Sequence, residues 1–252
     1  MKIITCTQQK GGTGKTATAA GVGQCLDEMG KRVLFVDLDP QGNLTDILKG
    51  STKTGVYEVL NGSIIAQNAI QRVYSGYLMA SSPKLSTYSN NDITRLKRAL
   101  NRLTFDYAVI DCPPALSVLS LNALNAADGV IIPAQAEAHS IKALKQLYAT
   151  IEAVEQSQKR EIYLLGVVLT RWHGRRNIAK QAAEQLSKIA VQAGTTLFRT
   201  QIRECVAIPE AEALGVSIYD HAPKSNAAAD YTALTAEVLE RLKKIRNEVK
   251  DK

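Results

Sequence analysis

The feature that most restricts this chain lies near its start. The apolar run Ile3–Thr7 passes directly into the loop QQKGGTGKT and then into a helical stretch, Thr16–Met29. A glycine-rich connection between a buried strand and a helix lets backbone N–H groups converge on one point, and the positive end of the helix adds to their field. The helix closes at Gly30, and VLFVD (33–37) follows as a continuous apolar run of the kind found in parallel strands. Strand, glycine loop, helix, strand is a βαβ unit with its anion-binding turn after the first strand.

The alternation continues along the chain. YLMA (77–80), YAVID (107–111), GVIIPA (129–134) and YLLGVVLT (163–170) read as strands. Asp92–Leu103, Leu116–Ala126, Ser140–Gln156 and Asn177–Ala193 read as helices, and after TLF (196–198) come a short segment around Ile208–Leu214 and a terminal helix from Asn226. Such alternation predicts an α/β fold of three layers, α/β/α, with a mostly parallel central sheet. Gly, Ser and Asn around 50–62 and 81–91 predict surface loops within one domain spanning 1–252. No run is long enough to cross a bilayer and MKIITC lacks the apolar core of a signal peptide, so a cytoplasmic protein is expected. The four cysteines, Cys6, Cys25, Cys112 and Cys205, form no C-x-x-C pair and read as reduced core or near-core thiols.

The loop carries most of the P-loop pattern G-x-x-x-x-G-K-[ST], but Gln9 stands where the first glycine belongs, and an additional lysine, Lys10, lies five residues before Lys15. Gly11, Gly12 and Gly14, with Thr13 between them, supply the backbone cradle. Lys15 suits the β- and γ-phosphates of a nucleotide, and the Thr16 hydroxyl suits Mg²⁺, with Ala17 continuing the helix. Three acids end apolar strands: Asp111 in YAVIDCPP, and Asp37 and Asp39 in VLFVDLDPQGN. Carboxyl edges of parallel strands are where open α/β sheets bind ligands, so Asp37 and Asp111 suit the metal's waters and Asp39 the orientation of an attacking water. The spacing leaves Lys10 open between a solvated lysine and one contacting its own nucleotide.

These motifs resemble the ParA/MinD family of deviant Walker A ATPases. KGGTGKT resembles the family's KGGxGK[ST] loop, and VDLDPQGN and VIDCPPAL resemble its next two motifs in order. The likeness extends through AADGVIIPAQAEAHSIKAL to IRECVAIPEAEALGVSIYDHAPKSNAAADY, and it is nearest to the ParA (Soj-like) partition ATPases of plasmids and other mobile elements. The resemblance implies ATP and Mg²⁺ as ligands, hydrolysis to ADP and phosphate, and an ATP-sandwich homodimer. In that dimer, Lys10 matches a signature lysine that reaches the partner's phosphate. It further implies non-specific DNA binding by the dimer, nucleoid association and stimulation by a ParB-like protein. The adenine contacts would fall around Thr170–Arg171 and Arg203–Cys205.

A formal charge of +7 fits a polyanionic partner, either DNA or an anionic membrane surface. The tail AEVLERLKKIRNEVKDK places Leu239, Leu242, Ile245 and Val249 at helical spacing without Phe or Trp, which reads as a packed terminal helix rather than a membrane anchor. Arg241, Lys243, Lys244 and Arg246 in that tail face either DNA or water. Arg175, Arg176 and Lys180 in LTRWHGRRNIAKQ are candidates for phosphate contacts, beside the plainer reading of an exposed basic loop. Glu204 and Ala207 occupy places where chromosomal relatives carry arginines, leaving Arg203 and Lys224 as substitutes. The competing classes are a MinD-like membrane regulator, a protein-cargo positioning ATPase and a small-molecule enzyme on the same scaffold. A shared Fe–S cluster between two subunits is rejected, because only Cys112 lies near a plausible interface.

Overall fold

A computed structural model describes residues 1–174 and 177–250, the last five of these by backbone alone. In chain order the elements are β1 (Lys2–Cys6), α1 (Lys15–Glu28), β2 (Val33–Asp37), α2 (Asn43–Ile47), α3 (Val56–Asn61), β3 (Ile70–Arg72), β4 (Tyr77–Met79), α4 (Arg95–Leu100) and β5 (Tyr107–Asp111). Then follow α5 (Val118–Ala126), β6 (Gly129–Gln135), α6 (Ala138–Gln158), β7 (Leu164–Thr170), α7 (Asn177–Gln192), α8 (Ala207–Leu214), α9 (Ile218–His221) and α10 (Asn226–Lys250). The strands form a seven-stranded sheet in the order β3-β4-β2-β5-β1-β6-β7. All pairings are parallel except β3 with β4.

The register places the site. β5 lies between β1 and β2, with Cys6 opposite Asp111 on one side and Asp37 opposite Asp111 on the other. Two acids from strands far apart in sequence therefore stand side by side at one edge of the sheet, next to the strand from which the glycine loop leaves.

Helices cover both faces. One core cluster joins Ile4, Val22, Leu26 and Phe35 to Tyr231, Leu234, Val238 and Leu242, so α1 and α10 share a face with the sheet. A second gathers Leu34, Val36, Ile110, Leu96, Leu100 and Leu119, and a third joins Val130, Ile132 and Val167 to Leu144, Leu147 and Leu186. The contact between α1 and the sheet requires small residues: a Cβ on Gly23 would fall 2.1 Å from the Phe35 ring. Overpacking of this kind forces neighbours off their rotamers, so Gly23→Val should destabilise the protein by about 3 kcal/mol. Urea titration should show that loss as a lower midpoint at unchanged slope.

The structure departs from expectation in specific places. Residues 50–62, expected as loop, contain α3, whose Val56, Val59 and Leu60 are buried. The glycines there are caps, with the Gly55 N–H donating to the Glu58 carboxylate and Gly62 closing the helix at φ 82°. Residues 81–91 likewise hold a 3₁₀ turn at Pro83–Thr87. Arg241 turns largely inward: it donates to the carbonyls of Leu165 and Leu197 and to Glu237, and lies 4.2 Å over the Phe198 ring. The edge of β7 leaves carbonyls needing donors, and α10 crosses close enough to supply one. The terminal helix packs as expected through Leu242, with Leu239 and Ile245 against the same cluster. Val249 and Arg246 have side chains outside the described residues. Among the described residues no helix is long and apolar enough to cross a membrane. Cys6, Cys25 and Cys112 are buried free thiols and Cys205 is partly buried.

Candidate functional site

The glycine loop is shaped by backbone angles that side-chain-bearing residues rarely adopt. Gly12 and Gly14 have φ of 72° and 82°, in the left-handed region. Gly14 starts α1 with no side-chain cap, and no acid occupies the first turn of that helix. The unpaired N–H groups of a helix start are therefore open to an anion. Two side chains from the sheet fasten the loop's carbonyls: Gln135 Nε2 donates to Gly12 O at 2.8 Å, and Thr170 Oγ1 donates to Thr13 O at 2.8 Å. Neither partner is marked by any local pattern, because both come from the ends of strands remote in sequence.

Lys15 is buried, with Nζ donating to Lys10 O at 3.2 Å. Burial lowers its pKa, opposed by the charges of Asp111, Cys112 and Asp39. Lys10 Nζ lies 2.7 Å from Glu137, at the start of α6. That pair is partly exposed, with side chains 26% and 53% accessible, so it is worth at most about 1 kcal/mol. Lys10 is thus held lightly and can exchange its partner.

The acids are held very differently. Asp37 accepts from Thr45 N at 2.8 Å, Thr45 Oγ1 at 2.7 Å and Asp39 N at 3.1 Å. Burial raises its pKa to about 7 against those hydrogen bonds. Asp39 is 7% exposed and accepts from Gln41 N at 3.0 Å, while its own carbonyl is fixed by Ser81. Asp111 is fully buried and neither carboxylate oxygen has a hydrogen-bond partner. Burial and the neighbouring Asp37 push its pKa well up; the Thr16 hydroxyl and Lys15 lie close enough to pull it back, without Thr16 reaching hydrogen-bond geometry.

An orphaned buried carboxylate beside a hydroxyl and an ammonium is costly unless a cation or its waters belong there. Among the described residues no three His, Cys, Asp or Glu side chains converge on one point. Oxygen donors of this kind would suit a Mg²⁺ that keeps much of its water.

Beside the loop lies a cavity of about 740 Å³, lined by Gln135, Glu137, Arg171, Trp172, His173 and Glu204 among others. Arg171 has φ 47°, and the next residue, Trp172, bridges to Arg203. The basic candidates lie on different elements. Lys180 on α7 and Lys224 before α10 are exposed, and Arg203 is bound to Asp230 at 2.6 Å. Arg175 and Arg176 lie outside the described residues.

A family model described as an AAA domain matches residues 1–164. The chromosome-partitioning ATPase Soj of Thermus thermophilus is 38% identical over 96% of this chain and 97% of its own. The chromosome partitioning protein ParA of Myxococcus xanthus is 35% identical over 95% and 88%. This chain belongs to the Soj/ParA family of ATPases. A solved structure of cobyrinic acid a,c-diamide synthase from Mycobacterium smegmatis, with bound ADP and magnesium, superposes on the fold. It does so at TM-score 0.82 and 31% identity over 96% of each chain. As a Soj/ParA ATPase, the chain has its glycine loop, Asp37, Asp39 and Asp111 at one sheet edge, where the family's motifs led one to look.

Proposed function

We propose that this protein is a ParA-type ATPase that forms an ATP-bridged homodimer. The dimer binds DNA without sequence preference and positions plasmid or chromosomal DNA. A ParB-like protein stimulates its hydrolysis. The observation that supports this reading best is the pair of lysines on one loop: Lys15 buried within reach of the charges of Asp111 and Asp39, and Lys10 resting on an exposed, exchangeable partner.

The roles we assign rest on those positions. The N–H groups of Gly11–Thr16 and Lys15 Nζ hold the β- and γ-phosphates of ATP. Mg²⁺, ligated by Thr16, neutralises phosphate charge when bound. Asp37 and Asp111 hold its hydration shell, and Asp39 orients the water that attacks the terminal phosphate. The base lies against Thr170–Arg171 and Arg203–Cys205. Gly11 and Gly12 are exposed, and a Cβ on either would meet nothing within 4 Å, so the loop presents a slim surface to a second subunit. Two triphosphates facing each other concentrate negative charge, and Lys10 leaves Glu137 to offset the partner's. ATP bound between subunits stabilises the dimer, and its hydrolysis releases that stabilisation.

The test is DNA binding by the purified protein with ATP, ADP or no nucleotide at two salt concentrations, with dimerisation followed by light scattering. Binding to unrelated sequences only with ATP, weakening steeply with salt, supports the reading. Lys10→Ala should remain a monomer with ATP and lose DNA binding, while still binding nucleotide within about threefold, because the pair it loses is an exposed one. Binding to anionic vesicles instead of DNA would replace this reading with a membrane-positioning one. Binding to neither would point to a protein cargo or a small-molecule substrate.

A further inference from the structure

The segment 196–206 leads from the edge of β7 into α8 and carries Arg203, Glu204 and Cys205. Its first part is fastened to β7: the Phe198 N–H donates to Val167 O at 2.8 Å and the Ile202 N–H to Leu169 O at 2.8 Å. Trp172 N then donates to Ile202 O at 3.0 Å. Glu237 on α10 also accepts the Arg199 and Thr200 N–H groups, at 3.0 and 3.2 Å, and past Ile202 a second acid of α10 takes hold. The Asp230 carboxylate accepts the Arg203 backbone N–H at 3.0 Å, Nε at 3.0 and 3.2 Å, and Nη2 at 2.6 Å.

Asp230 is buried at 8% exposure, whereas the Arg203 side chain is 48% exposed. An ordinary surface ion pair joins two mobile side chains. Here a buried acid also takes a main-chain N–H, so it fixes the course of the backbone as well as the guanidinium. The next residue of α10, Tyr231, lies against α1 so closely that a Cβ on Gly21 would fall 2.6 Å from its ring. Adjacent residues of one helix thus refer the 203–205 segment to α1, the helix that springs from the phosphate loop.

We propose that Asp230 is a positioning residue for base recognition. It sets the Arg203–Cys205 segment at a fixed distance from the phosphate loop, so that a purine base meets a rigid wall while its phosphates occupy the loop. The proposal rests on the placement of the base given above. Asp230 touches no reacting atom; it acts through Arg203.

The test compares wild type with Asp230→Ala and Asp230→Asn, each checked for folding by thermal melting. ATP, GTP and inorganic triphosphate compete with a ribose-labelled fluorescent ATP analogue in the presence of Mg²⁺. Asp230→Ala should weaken ATP by about tenfold, as expected for loss of a charge-assisted contact, and narrow the ATP-to-GTP ratio, with triphosphate unchanged. Asp230→Asn keeps an acceptor for the backbone N–H and should fall between. Unchanged ATP affinity and selectivity in a folded Asp230→Ala would overturn the proposal. A parallel loss for ATP and triphosphate would also overturn it, since that marks a general loosening. Equal binding of ATP and triphosphate by the wild type would instead overturn the base placement itself, and the proposal with it.

Discussion

Lys15→Met should lower ATP hydrolysis by about a thousandfold or more, the scale seen when a charge aimed at a transferring phosphoryl group is removed. The fold should survive. Lys15 is buried and its ammonium donates to the Lys10 carbonyl, so methionine fills similar space without a charge to desolvate. Phosphate release at saturating ATP and a thermal melt measure the two effects separately. Hydrolysis within tenfold of wild type, in a folded variant, would remove Lys15 from the phosphate site and with it the reading of the loop.

The second large effect has two opposite signs. Asp111→Asn should abolish measurable turnover and yet stabilise the nucleotide-free protein by about 1–2 kcal/mol, because the buried carboxylate has no partner. Asparagine removes the charge and supplies an amide that can donate to the Thr16 hydroxyl. The pH dependence follows from the direction of the shift. Burial holds the Asp111 pKa above its unfolded value, so the folded chain retains a proton that the unfolded chain gives up. The penalty is absent below the unfolded pKa and grows as pH rises toward the folded one. Melting temperatures of variant and wild type, measured without metal or nucleotide, should therefore diverge more at pH 8 than at pH 5. A variant less stable than wild type at both pH values would show that Asp111 is satisfied in the free protein after all.

Much of this was legible in the residues. The long apolar strands, the glycine loop and the acids at strand ends announce themselves by local pattern, and tertiary structure has little reason to overrule them. Strand β3 escaped notice because IQR is short and polar; it exists through its pairing with Tyr77–Met79 at the sheet edge. Helix α3 was hidden because its glycines are caps, and a cap and a loop glycine look alike in sequence. Partners across the fold left no local sign. Gln135 on Gly12 and Glu137 on Lys10 join residues that only the sheet brings together. The pairing of Arg203 with Asp230 is likewise silent in the sequence, since the acid lies on a separate helix.

The pairing of β5 with both neighbours carries one more consequence. Side chains on a strand alternate between faces, so sliding β5 by one residue would exchange the places of Ile110 and Asp111. Such a chain could still collapse around a sheet, but it would set a carboxylate among apolar helices and an isoleucine beside the glycine loop. Misalignment is thereby converted into instability, and a folded molecule with its acid misplaced is not a comfortable alternative. Length changes should accordingly be found in the stretch around β3 and β4, at one edge of the sheet, and not within Tyr107–Asp111.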